Sequence, residues 1–243
     1  MMSVSVNIPD AVIYDTKMNQ NITEQYVRRI VALTYYTKNG VSLGYCAEIA
    51  GMTKTDFIKF LGENQISIFQ FDDENELIED IKMRRVIVNS TPLIALSNIG
   101  KLEILKELYK EITIPFAVYK EVTEKNDTAS KNIQNSLSWI HVENIRSPEN
   151  YGLYKAKLHA GEIEVMILAQ ETPEADLLII DDKAARKTAK FLGLTVTGTI
   201  GVIIKAHKSG FISDVETLLE KLQASGFYIT DQVVSMILNQ LNT

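Results

Sequence analysis

Five polar residues in the second half of this chain have the types and settings that could do chemistry: Asn89, Glu121, Glu162, Asp181 and Asp182. Asn89 follows the apolar run Val86-Ile87-Val88 and is itself followed by the hydroxyls of Ser90 and Thr91. Asp181 and Asp182 follow Leu177-Leu178-Ile179-Ile180, and Glu162 stands directly after Gly161 at the head of an apolar helical pattern. Glu121 lies near the end of a pattern that Pro115 opens. Carboxylates drawn together repel one another unless a cation or a shared proton neutralises them. A cluster of oxygen donors suits Mg²⁺ or Mn²⁺, and such ions activate water and steady a phosphoryl transition state. Singly, each acid has a plainer role. Acids at helix N-termini complement the macrodipole, which suffices for Glu162 or Asp182, and Glu121 fits a surface helix position. Convergence would make them a site.

A second group is basic. Lys183, Arg186, Lys187 and Lys190 recur at i, i+3, i+4 and i+7, one face of a helix beginning beside Asp181 and Asp182. That stripe fits either RNA phosphates or a solvated helix face. Thr197-Gly198-Thr199 leads into a helix and reads as a cap, with phosphate binding by its amides as the other use. His141, His159 and His207 lack metal-ligand spacing. The one cysteine, Cys46, falls on an apolar pattern and excludes a disulfide framework. No P-loop or nucleophile elbow occurs.

These residues need a scaffold, and the spacing from residue 84 onward supplies one. Apolar strand-like runs (86–88, 113–114, 139–142, 177–180, 195–196) alternate with helical patterns, and a further helix is expected near the end with Thr230 as its cap. Fully apolar strands between helices imply a parallel α/β sheet covered on both faces, whose sites lie at the C-terminal ends of strands. The first part of the chain reads differently. The alternation Ser3-Val4-Ser5-Val6-Asn7-Ile8 predicts a short strand stopped by Pro9. Helical spacing over 22–36 suggests Thr23 as an N-cap. A second helix runs to Ala50, Gly51 makes a turn, and residues 54–64 resume helical spacing, the outline of a helix-turn-helix unit. A DNA-reading second helix needs cations. Lys54 and Lys59 supply them, opposed by Asp56 and Glu63.

The chain has 243 residues, is 46% hydrophobic and carries a net charge of −6. Such acidity lacks the basic footprint of a dedicated duplex binder, so nucleic-acid contact must be local or metal-assisted. Residues 1–82 carry a net −5 and residues 83–243 a net −1. The acidic run 72–80 reads as a connector, giving a helical domain at 1–70, a linker at 71–82 and an α/β domain at 83–243. No apolar run reaches the length of a membrane span and the start lacks a signal-peptide pattern, so a cytoplasmic location is expected.

The stretches "RRVIVNSTPLIALSNIGKLEIL", "ITIPFAVYKEV", "AGEIEVMILAQE" and "LLIIDDKAARKTAKFLGLTVTGTIGVI" resemble PIN-domain proteins, in particular VapC-like toxins. "SLGYCAEIAGMTKTDFIKFL" resembles a family of small antitoxin-like proteins. The first resemblance implies a three-layer α/β nuclease fold with carboxylates, here Glu121, Glu162 and Asp181 or Asp182, that bind Mg²⁺ or Mn²⁺ to hydrolyse RNA. Asn89 falls where most active members have Asp. An amide brings no charge, which weakens metal binding. Together the resemblances imply a fused toxin–antitoxin protein, a metal-dependent ribonuclease attenuated at Asn89, whose N-terminal part restrains it, targets it or binds DNA. The acidic run would then compete with RNA near the basic stripe. A homodimer or higher oligomer is expected. The alternative is a degenerate PIN fold serving as a nucleic-acid-binding or regulatory scaffold.

Overall fold

Five short apolar strands form one sheet: β1 (Val86–Val88), β2 (Ile112–Pro115), β3 (Ile140–Glu143), β4 (Leu177–Ile179) and β5 (Thr195–Thr197). Their order is β3-β2-β1-β4-β5, and every pairing is parallel. The computed structural model describes residues 4–9, 12, 16–69, 85–125, 127–171 and 177–241. The central strands β1 and β4 are buried along their length, as strands with helices on both faces must be. β1 is in register with β4 through Ile87 and Leu178, so Asn89 and the Asp181–Asp182 pair leave the sheet on the same edge.

Helices follow the strands with legible caps. α4 (Ser90–Asn98) starts at Asn89, whose side chain accepts from the Ser90 amide. α6 (Phe116–Thr123) starts after Pro115, α9 (Ala160–Gln170) after His159, and α10 (Lys183–Phe191) after Asp182, which accepts from Ala185. α11 (Thr199–Lys208), α12 (Val215–Ala224) and α13 (Asp231–Leu241) complete the C-terminal part. α5 (Ile104–Tyr109), α7 (Thr128–Asn135) and the single turn α8 (Tyr151–Tyr154) fill the connections. The spacing did not foresee α7 and α8.

The N-terminal part contributes α1 (Gln20–Asn39), α2 (Leu43–Ala50) and α3 (Lys54–Glu63). Asn19, not Thr23, caps α1, because the helix begins earlier and the Asn19 side chain accepts from Ile22. Gly51 ends α2 with φ 68°, the left-handed conformation that favours glycine. The expected N-terminal strand does not form. Residues 4–9 join no sheet, and Val4 and Val6 are 74% and 62% exposed. Alternation gives a segment one apolar face, but a strand needs an edge to pair with. The proposed linker at 71–82 lies outside the described residues.

Phe57, Ile58 and Leu61 of α3 bury their side chains in one hydrophobic cluster that also holds the core of the α/β part. The approach is close: a Cβ on Gly62 would lie 2.2 Å from the Gly226 carbonyl oxygen. Phe69 stacks on Phe227, with ring centroids 5.6 Å apart. Gly62→Ala should therefore strain the joint and lower stability by about 1–3 kcal/mol, the usual cost of overpacking. A shifted urea midpoint for the full chain checks this.

Candidate active site

α3 enters the α/β part with its first residue. The Lys54 ammonium donates to Glu121 Oε2 at 2.9 Å and to Ser90 Oγ at 3.0 Å, and lies 3.7 Å from Glu162 Oε1. Its side chain is only 8% exposed. Three segments of the α/β part thus surround one cation supplied by the N-terminal part. The Leu43 backbone amide at the head of α2 makes a second link, donating to Asp182 Oδ2 at 2.8 Å. Burial would lower the pKa of Lys54, but Glu121 and then Glu162 more than offset it and hold it above the ordinary value.

The carboxylates differ in what they touch. Burial would raise Glu121, but Lys54 and His159 overcome it and draw its pKa down to about 2. Its Oε1 lies 3.0 Å from His159 Nδ1 and accepts from the Gly161 amide at 3.2 Å. A Cβ at residue 161 would sit 2.9 Å from the Glu121 oxygens, so a larger residue there would have to displace that carboxylate. Glu162 is fully buried. Its Oε2 accepts from the His159 amide at 2.8 Å, while Oε1 has no hydrogen-bond partner and faces Lys54. Burial, and then the charge on Asp182, push its pKa up to about 8. Glu164, its neighbour in sequence, turns elsewhere and accepts from the Ala117 amide at the start of α6.

Asp182 and Asp181 also part company. Asp182 bridges to the N-terminal part through Leu43, and its charge acts on both Glu162 and Lys54. Asp181 accepts from the Thr199 amide at 2.8 Å and the Thr199 hydroxyl at 2.5 Å, tying β4 to the head of α11. The Thr197-Gly198-Thr199 loop thus spends an amide inside the protein. Asn89 is 1% exposed; its Oδ1 caps α4 and its Nδ2 is buried without a partner. Thr91 Oγ1 is likewise buried without a partner.

The basic candidates divide. Lys183, Lys187 and Lys190 are exposed along α10, but Arg186 is 2% exposed and donates to the Ile180 carbonyl at 3.0 Å. Arg186 therefore leaves the expected solvent stripe for the interior. Lys59 remains exposed on α3, beside a polar groove lined by Thr55, Gly62 and residues 223–228. Lys54 does not face outward for DNA. Sequence reasoning assigned His159 no role, because its partner Glu121 lies 38 residues away. His159 also packs edge-on against Tyr45, with centroids 5.5 Å apart. A Cβ on Gly44 would lie 2.4 Å from its side chain. A cavity of about 240 Å³ opens beside these groups, lined by Met52, Lys54, Glu121, Lys125 and His159 among others.

Among the described residues, no group of three or more His, Cys, Asp or Glu side chains is arranged to hold a metal ion. The pocket nevertheless seats the Lys54 ammonium between hard oxygen donors, and that donor chemistry fits a hard divalent ion.

A parallel α/β domain with buried acids at the carboxyl edge of its sheet defines the class, and the comparisons agree. A family model described as a PIN domain matches residues 85–243, and the chain belongs to that family. A model described as an uncharacterised protein family (UPF0175), which is antitoxin-like, matches residues 1–85. No curated protein and no solved structure matches the chain. Among the described residues, no helix is long and apolar enough to cross a membrane.

Removing one member of a buried ion pair strands the charge of the others. Lys54→Met should lower stability at pH 7 by about 3–5 kcal/mol, and Glu162→Gln in the same chain should recover part of it. A double-mutant cycle by chemical denaturation measures the coupling.

Proposed function

We propose that this protein is a toxin–antitoxin fusion whose PIN domain is a metal-dependent ribonuclease, held inactive by its own N-terminal part. The observation that carries the reading is the Lys54 ammonium seated between Glu121 and Glu162. Glu121, Glu162 and Asp182 would hold Mg²⁺ or Mn²⁺, with the second lone pair of the Asn89 amide oxygen as a neutral donor. Bound there, the ion supplies Lewis acidity toward water and offsets charge on a phosphodiester. The chain's own groups do the rest. His159 orients Glu121 through Nδ1, and the His159 amide fixes one oxygen of Glu162 so that the other faces the pocket. Once Lys54 withdraws, the Ser90 hydroxyl is free to donate to a phosphate oxygen. Asp181 belongs to the scaffold in this reading, and Asp182 is the fourth site residue.

The N-terminal part acts as a restraint rather than a DNA reader, because Lys54, one of its two second-helix cations, is spent inside the protein and leaves only Lys59 exposed there. The missing charge at Asn89 favours a second reading, a catalytically degenerate scaffold, and the same experiment separates the two. Cleavage of a labelled RNA in Mn²⁺ should rise at least about tenfold in Lys54→Ala, as expected for removal of a competing charge near 3 Å. It should vanish with EDTA or with Glu162→Gln in the same chain. Mn²⁺ should also raise the melting temperature of Lys54→Ala more than that of the natural chain, since a ligand of the folded state stabilises it. Asn89→Asp, which restores the charge, should increase cleavage further. Silence from Lys54→Ala and from its Asn89→Asp double variant would leave the scaffold reading.

A further inference from the structure

One face of α10 does not take part in the closed pocket. Lys183, Lys187 and Phe191 follow one another at i, i+4 and i+8, so they form a row along the helix. The row starts one residue after Asp182 and runs for roughly 12 Å at the helical rise. Phe191 is 89% exposed, an unusual place for an aromatic ring, and Leu153 is 72% exposed. Both line a groove of about 650 Å³, together with Tyr154, Lys157, Lys183 and Lys187. None of the described residues lining it is acidic, although the chain as a whole carries a net charge of −6.

We infer that this groove binds single-stranded RNA, with the phosphates on Lys157, Lys183 and Lys187 and a base stacked on Phe191. The inference rests on the ribonuclease reading for its choice of RNA, and it adds where the strand lies outside the acids. An apolar groove alone would suit a protein partner. None of the described residues lining the groove offers these ammonium groups a counter-charge, and the row ends on the open ring of Phe191, which suits a polyanion with flat bases. Residues 39–41 also line the groove, and they lead into Leu43 and its hydrogen bond to Asp182. The groove is therefore complete while Lys54 still closes the pocket, and strand capture does not wait for release.

The test is binding, read apart from cleavage. The full chain is titrated into a fluorescein-labelled single-stranded oligoribonucleotide in EDTA, and anisotropy is followed. Phe191→Ala should weaken binding by about tenfold, the loss expected for one stacked base, and Phe191→Trp should retain it. Replacing Lys183 and Lys187 together by Ala should flatten the slope of log K against log salt by about 1.4, as for two lost single-strand phosphate contacts. Lys131→Ala, on α7, should change neither. Absence of binding by the full chain overturns the inference, as does binding indifferent to all the groove substitutions. A change in sedimentation from dimer to monomer in Phe191→Ala, with RNA affinity unaltered, also overturns it and assigns the groove to a second copy of the chain. Failure of the nuclease reading looks different: oligonucleotide binding persists, but Lys54→Ala does not cleave.

Discussion

A carboxylate taken out of water must find a counter-charge, a hydrogen-bond donor or a proton, because leaving it bare costs several kcal/mol. The PIN domain gathers Glu121, Glu162 and Asp182 at one edge of its sheet, and Glu162 is fully buried. Within the domain, backbone amides from His159, Gly161 and Ala185 satisfy some of the oxygens. They do not cancel the charge. The N-terminal part contributes the Lys54 ammonium and the Leu43 amide, one to each side of the cluster. The rest of the joint can be understood as what is required to bring those two donors in. Glycine stands at positions 44 and 62, where any Cβ would collide with His159 or with the Gly226 carbonyl. The Asp56–Lys125 ion pair adds a polar contact near the rim of the same cavity.

Fusion changes what such a contact means. A restraint supplied by a separate chain depends on the concentration of that chain. One supplied in the same chain acts at an effective concentration set by the connection, which for short flexible links is on the order of millimolar. The apolar burial of Phe57, Ile58 and Leu61 makes the closed arrangement part of the fold rather than a loose encounter. Opening must then expose apolar surface as well as separate charges, at roughly 25 cal/mol for each Å² uncovered. If the joint opens as proposed, the stability of the closed arrangement and the availability of the acids are one quantity, and a cation that competes with Lys54 would work against both terms.

The parts of this structure that sequence reveals are those with local causes. Val86-Ile87-Val88 and Leu177-Leu178-Ile179 are legible as buried parallel strands because nothing else explains fully apolar runs of that length between helices. Asp182 and Pro115 mark helix starts by their own chemistry. What escaped depends on partners distant in the chain. Lys54 reads as an exposed cation on a recognition helix, since Glu121 lies 67 residues away. Arg186 fits a basic stripe by spacing, yet it turns inward to the Ile180 carbonyl. Val4 and Val6 alternate like a strand, but alternation says nothing about whether an edge is present. His159 has no metal-ligand spacing because its role here is to hold a carboxylate.

Asn89 gains a physical rationale in this setting. It caps α4 through the Ser90 amide, and an aspartate would perform that local task equally well. The difference is charge. Ser90, the next residue, already accepts a hydrogen bond from Lys54, so residue 89 stands one residue from that contact. Three carboxylates face one ammonium there, and the fully buried Glu162 responds by binding its proton more tightly. A fourth carboxylate would add repulsion that a single positive charge offsets poorly in a region of low dielectric. A divalent ion would tolerate it far better. In the proposed reading, an amide at 89 suits a pocket closed by lysine, and an aspartate would suit one filled by a divalent ion.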